Sequence, residues 1–228
     1  MTDHYMEETA AVRITSGVRE KVWQPLLKEE RISLYINGKD EGLFSCTPEL
    51  VREMILGHLY SEGKIDDAED VSFFRQQGNI VQVSCEKSGR KKERNEAADH
   101  FSGEMIQRWI EIFFQRSHRH QKTHASHKAM FFTKEESYLE ADDVSRRAAI
   151  EKVIGLGLIR KVNFGNGALM FSGRVPEDVV EKIITSGIPL LIGRSYPTCE
   201  AVEKARKSGL ILCGNAREDS FVLYAGKV

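Results

Sequence analysis

The sequence lacks any run of ~18 consecutive apolar residues, the length needed to cross a bilayer as a helix. Its first ten residues are polar and acidic, which is not the pattern of a secretory leader. Together these absences predict a cytosolic protein that does not contact a membrane. Net charge is nearly absent as well: 33 Lys and Arg stand against 34 Asp and Glu, for a formal charge of −1. That balance argues against a general nucleic-acid binder. Cysteines are few. Cys46, Cys85, Cys199 and Cys213 are widely spaced and need not pair. Neither a His-x-Glu nor a Cys-x-x-Cys pattern occurs, which excludes zinc-deaminase chemistry. No internal repeat or low-complexity tract is present.

What remains is enough for a real core. A 41% apolar fraction over 228 residues supports one large domain, or one domain with a small appendage. The C-terminal third carries the clearest pattern. Three short apolar runs, Ala168–Phe171, Ile188–Ile192 and Leu210–Cys213, each end in a polar loop bearing an arginine. Between them lie two helix-like segments. The first, Pro176 to Ser186, has Val179, Val180, Ile183 and Ile184 on one stripe, and Gly187 closes it. The second, about Pro197 to Ser208, starts on a proline, runs from acidic to basic and stops at Gly209. Apolar runs alternating with helices predict a parallel sheet buried on both faces.

In an open α/β sheet, ligands bind beyond the carboxyl ends of the strands. Arg174, Arg194 and Arg217 all follow such ends. Ser195 and Thr198 stand at a helix N-terminus, where N–H groups and the dipole favour an anion. Three converging guanidiniums suit a phosphate-bearing ligand. The alternative is three ordinary surface arginines.

Upstream, Arg31–Ile36 and Leu43–Cys46 flank Asn37-Gly38, the signature of a hairpin. Thr47 as N-cap and Pro48 predict a helix to about Ser61, ended by Gly63. Val71–Arg75 and Asn79–Ser84 read as a second strand pair, and the first ten residues as frayed. Lys87, Arg90, Lys91, Lys92 and Arg94 read as a solvated loop. Ser102 starts a helix with Met105, Ile106, Trp109, Ile110 and Phe113 on its apolar side. A strand pair near Ala129–Thr133 and Tyr138–Leu139 precedes a helix from Asp142 to about Gly155. The expected organisation is a small N-terminal α+β part, residues 1–100, and an α/β domain, residues 101–228.

Several of these stretches resemble the FdhD family of accessory sulfurtransferases for formate dehydrogenase. The likeness runs through Thr47-Pro48-Glu49-Leu50, Leu56 to Gly63, Asp142 to Gly155, Ser186 to Leu191, Ser195 to Thr198, Gly209 to Leu212, and Arg217 to Tyr224. It implies a three-layer α/β/α mixed sheet of the cytidine-deaminase-like kind. It also implies a molybdenum bis-guanine-dinucleotide cofactor or guanine nucleotide as ligand, formate dehydrogenase and a cysteine desulfurase as partners, and a homodimer. The cofactor contacts would fall on Asn215, Ala216, Arg217, Glu218, Asp219 and Ser220. Two departures stand out. The family's Cys-Gly-x-Cys-Gly loop before the Ser102 helix is replaced by Arg94-Asn95-Glu96-Ala97-Ala98-Asp99-His100. Its Gly, His and Asn after Asp-Val are Ser145, Arg147 and Ala148, although Asp143 and Arg146 remain. A persulfide carrier needs an exposed thiol of lowered pKa. Cys85 stands at a strand end and Cys199 in the first turn of a helix, and these are the only candidates for the sulfur step.

A second constellation is His118, His120, His124 and His127, within ten residues. Imidazole binds zinc, but this spacing is not that of a finger and no cysteine accompanies it, so no metal is assigned. The functions left standing are an FdhD-like accessory protein without an assured sulfur step, a regulatory or scaffolding protein with an inactive site, and a nucleotide-binding enzyme of other chemistry.

Overall fold

The computed structural model describes residues 4–89, 101–135 and 137–228. The chain opens on a two-stranded ribbon, β1 (Met6–Thr15) and β2 (Val18–Leu27), in place of the frayed segment expected. Ser16 and Gly17 join the strands, with φ of 50° and 86°, the double positive φ of a hairpin turn matched to strand twist. A four-stranded sheet follows. Strands β3 (Glu30–Ile36) and β4 (Lys39–Cys46) form the expected hairpin across Asn37-Gly38, again at positive φ. Helix α1 (Val51–Ser61) leads to β5 (Val71–Gln77) and β6 (Ile80–Cys85), and the sheet order is β4-β3-β6-β5. The charged segment from Arg90 onward, with Lys91, Lys92 and Arg94, lies outside the described residues, as does the Arg94–His100 loop.

The second half builds one six-stranded sheet. In chain order come α2 (Gly103–Gln115), α3 (His118–Thr123), β7 (His127–Thr133), β8 (Tyr138–Asp143), α4 (Arg146–Ile159) and β9 (Gly167–Phe171). Then α5 (Glu177–Thr185), β10 (Leu190–Gly193), α6 (Cys199–Ser208), β11 (Ile211–Arg217) and β12 (Ser220–Ala225) complete it. Strand order is β12-β11-β10-β9-β7-β8, with β9, β10 and β11 parallel, as the apolar runs predicted. Alternation splits their side chains between two cores. Met130, Phe132, Ala168, Met170, Leu190, Ile192 and Cys213 join Ile106, Trp109 and Phe113 of α2. Trp109 stacks on Phe132 with ring centroids 5.5 Å apart. Ala129, Phe131, Leu169, Phe171, Leu191 and Leu212 meet the other helices in a core that also includes Ile32, Leu34 and Val83. The sheet therefore has helices on both faces, a mixed α/β architecture.

Two helix starts differ from expectation, for one physical reason. Thr47 does not cap α1; Leu50, at φ 54°, precedes the first helical residue. Asp142 and Asp143 belong to β8, and Ser145 caps α4 by accepting the Ala148 N–H at 3.4 Å. The polar groups of Thr47 are used to join the two regions instead. Its N–H donates to Asp143 Oδ2 (3.1 Å), its hydroxyl accepts the Val144 N–H (3.3 Å), and its carbonyl accepts Lys152 Nζ (3.0 Å). Lys152 Nζ also meets Asp143 at 2.5 Å, and both side chains are fully buried. Beside this junction α1 crosses α4 closely. A Cβ on Gly57 would stand 1.8 Å from the Glu151 carbonyl oxygen, and one on Gly155 1.8 Å from that of Glu53. Among the described residues no helix is long and apolar enough to cross a membrane.

Candidate functional site

The loops after β9, β10 and β11 are laced together by backbone hydrogen bonds. Arg194 N–H donates to the Phe171 carbonyl, Val175 N–H to Tyr196, Thr198 N–H to Val175 and Asn215 N–H to Ser195, at 3.0–3.2 Å. A shared rim therefore exists, but its side chains divide. Arg217 donates from Nη1 to the carbonyls of Arg194 and Ala216, both at 2.9 Å. Arg194 lies over the Phe114 ring, 5.1 Å from its centroid. The Thr198 hydroxyl caps α6, accepting the Ala201 N–H at 3.2 Å, and Ser195 is half-buried. Ala216 is fully buried in the α2-side core. Glu218, Asp219 and Ser220 are exposed in and beside the β11–β12 turn. The Glu218 carbonyl accepts the Gln107 side-chain amide, and Ser220 Oγ donates to Asp219 at 3.0 Å. Asn215 sits at φ 48° on a bulged stretch of β11, its Oδ1 buried and without a hydrogen-bond partner in the described structure.

Arg174 belongs to a different group. With Arg146, Arg147, His127 and Ser145 it lines a cleft of about 260 Å³. Arg146 and Arg147 occupy the first turn of α4, which contains no acidic residue. Two cations there oppose the helix dipole, an arrangement relieved by an anion. Arg147 pairs with Asp178 at 2.6 Å, whereas among the described residues no carboxylate pairs with Arg146 or Arg174. Arg146 reaches the cleft across Gly173, where a Cβ would come within 2.7 Å of its Cδ. Burial, aided by the charge of Arg146 and by His120, pushes the His127 imidazole down to about 4. It is therefore neutral near pH 7, with Nδ1 3.2 Å from the Ser172 hydroxyl. The cleft presents guanidiniums without competing carboxylates at Arg146 and Arg174, which suits a phosphate or carboxylate group. Its signal in the sequence is Ser145-Arg146-Arg147, a cap followed by two arginines where acidic residues are favoured.

Comparison with known proteins agrees with this architecture. A sequence model of the FdhD/NarQ family matches residues 27–100 and 78–228. The chain belongs to the FdhD/NarQ family. It is 27% identical to the sulfur carrier protein FdhD of Methanothermobacter thermautotrophicus, over 91% of this chain and 92% of that protein. Against the sulfur carrier protein FdhD of Sulfurisphaera tokodaii the identity is 33%, over 79% and 80%. The fold is also that of a putative formate dehydrogenase accessory protein from Desulfotalea psychrophila, with a TM-score of 0.79, 20% identity and 97% of each chain covered.

Within this FdhD/NarQ fold the cysteines are unevenly placed. Cys46 and Cys213 are buried, and burial pushes both thiols up to about 12. Cys85 ends β6, half-buried; burial raises its pKa, and Asn37 bonds its backbone on both sides, at 2.9 and 3.0 Å. Cys199 is exposed as the first residue of α6. The histidines do not converge. His120 contacts the Ser126 carbonyl through Nδ1 at 2.7 Å and meets His124 edge-on, whereas His127 faces the arginine cleft. Among the described residues no three His, Cys, Asp or Glu side chains are grouped as a metal would require.

A larger cavity, about 730 Å³, opens between β4, α1, α4 and α5 and contains charges the sequence reading passed over. Glu151 meets His58 Nδ1 at 3.1 Å and Lys182 Nζ at 3.0 Å, and Lys182 also pairs with Glu62. The signal was available. Lys182 interrupts the Val179–Ile184 stripe, and His58 stands between Leu56 and Leu59, so both are carried inward with their apolar neighbours. Burial of a cation in such a place requires carboxylate partners, and Glu62 and Glu151 supply them.

Proposed function

We propose that this chain acts as an FdhD-type accessory protein in formate dehydrogenase maturation. Its anion site would take the phosphates of a guanine nucleotide or of the molybdenum bis-guanine-dinucleotide cofactor. The observation that carries this reading is the arginine cleft at the start of α4, where among the described residues no carboxylate pairs with Arg146 or Arg174 beside a neutral His127. Asn215, with a buried amide oxygen that has no partner among the described residues, supports a second polar contact at the laced rim. Arg147, also on the cleft, is paired with Asp178. The chain's own residues would bind and orient the cofactor; the redox chemistry would be the cofactor's.

The sulfur relay of relatives named sulfur carriers is not part of this proposal. No cysteine occurs between Cys85 and Cys199, and the thiols of Cys46, Cys85 and Cys213 are shifted away from the reactive thiolate. That feature favours a second reading, a scaffolding or regulatory member that holds cofactor or client without handing on sulfur from a desulfurase.

Calorimetric titration with GDP tests the site. A charged hydrogen bond to phosphate contributes about 1.5–3 kcal/mol. Arg146→Ala and Arg174→Ala should therefore each weaken binding roughly tenfold to a hundredfold, with thermal stability nearly unchanged. Absence of binding by the wild type, or equal affinity in all three proteins, removes the nucleotide site and leaves the scaffolding reading.

A further inference from the structure

Tyr196 is 58% exposed on the loop that joins β10 to α6, although Ser195 and Pro197 on either side of it are half-buried. A single exposed aromatic is ordinary on a protein surface; the position of this one is not. Val175 and Pro197 form a parallel bridge between the loops after β9 and β10. The Val175 N–H donates to the Tyr196 carbonyl at 3.2 Å, and the Thr198 N–H to the Val175 carbonyl at 3.0 Å. The residues just before the bridged pair, Arg174 and Tyr196, therefore lie side by side, about one strand spacing (~4.8 Å) apart. Successive side chains of extended backbone alternate in direction. Val175 is fully buried and Pro197 half-buried, so Arg174 and Tyr196 both turn outward, and both are exposed. On the far side, the Asn215 N–H donates to the Ser195 carbonyl at 3.0 Å, which sets Asn215 beside the same loop. The order along the rim is thus a guanidinium on the phosphate cleft, an aromatic ring, and an amide whose buried oxygen has no partner among the described residues.

That is also the order of the parts of a nucleotide, from phosphate to base to the polar edge of the base. We propose that Tyr196 is the platform on which the base of a nucleotide stacks while its phosphates lie on Arg146 and Arg174. The proposal rests on the reading of the cleft as a phosphate site, and adds the half of the ligand that arginines in that cleft do not recognise. Every base has a π-face, and stacking on an aromatic side chain is available to all of them. A tyrosine ring gives that flat apolar contact at low entropic cost, because only two torsions must be fixed. Its neighbour Arg174 is one strand spacing away, so phosphate and base are held on adjacent positions of one rim. The amino group on the edge of a purine is the kind of donor that the Asn215 oxygen lacks.

Calorimetric titration with GDP and, separately, with pyrophosphate divides the base from the phosphates. Tyr196→Ala should weaken GDP binding roughly fivefold to a hundredfold, the size of one lost aromatic–base stack, and leave pyrophosphate binding as in wild type. Tyr196→Phe keeps the ring and should bind both ligands as wild type does. The side chain is exposed, and a melting curve confirms that both variants fold. Wild type that binds pyrophosphate but not GDP overturns the platform and leaves the phosphate site standing; wild type that binds neither overturns both. Unchanged GDP affinity in Tyr196→Ala also overturns the platform. So does equal weakening of both ligands, which would make Tyr196 a wall of the phosphate cleft, and so does loss of GDP binding in Tyr196→Phe, which would assign the contact to the hydroxyl group.

Discussion

His127 shows what a cationic neighbourhood does to a side chain that titrates. Its imidazole is pushed down to about 4 in the fold, against ~6.5 in an unfolded chain. Between those values the unfolded state binds the extra proton. The stabilisation is therefore complete above about pH 6.5 and is lost as pH falls toward 4, on the order of 3 kcal/mol at most. Melting curves from pH 7 to 4.5 should fall more steeply for wild type than for His127→Gln; parallel curves would mean His127 is not buried against Arg146. The same residue shows the limit of sequence reading. As one of four nearby histidines it invited a metal, because spacing along the chain does not reveal that α3 ends between His120 and His127. Arg174 was singled out by its place after a strand, and it lines the cleft beside Arg146. Its neighbour Arg146 was marked only by family likeness and by two arginines after a helix cap, since its place in the cleft depends on crossing Gly173, a contact between elements far apart in sequence.

At the level of elements, the parallel strands were legible because burial on both faces leaves an unbroken apolar run. The hairpin at Asn37-Gly38 was legible because few dipeptides tolerate two positive φ values. Ser16-Gly17 makes the same turn, yet its flanking strands are mostly exposed and carry no hydrophobic alternation facing a core. The starts of α1 and α4 were misread because Thr47 and Asp143 bond to each other's segments rather than capping their own helices. The crossing of those helices gives a direct test. Gly57→Ala would drive a methyl into the Glu151 carbonyl, backbone that cannot yield without separating the helices. Overpacking of this kind costs ~3 kcal/mol or more. Urea unfolding should show the unfolding free energy falling by that amount, while Gly103→Ala, with open space around its Cβ position, leaves it almost unchanged. A tolerated Gly57→Ala would mean that α1 and α4 lie farther apart.

For the whole molecule, the main consequence is that the two halves of the chain complete one core. Ile32, Leu34, Met54, Leu59 and Val83 share a cluster with Ile150, Val153, Leu169 and Leu212. A polypeptide of residues 1–100 alone should therefore remain largely unfolded, with weak amide dispersion by NMR and no cooperative melting; a sharp transition would show that the N-terminal part is self-sufficient. The junction at Thr47 extends this point to how the protein is made. Its three bonds reach residues 143 to 152, and α1 rests on a helix that ends at Ile159. On a ribosome adding 5–20 residues per second, α1 is finished about 5–20 s before the helix it needs. For that interval its apolar side has no native surface to meet, and a nascent chain in that state is a substrate for chaperones that hold unfolded segments until the second half arrives.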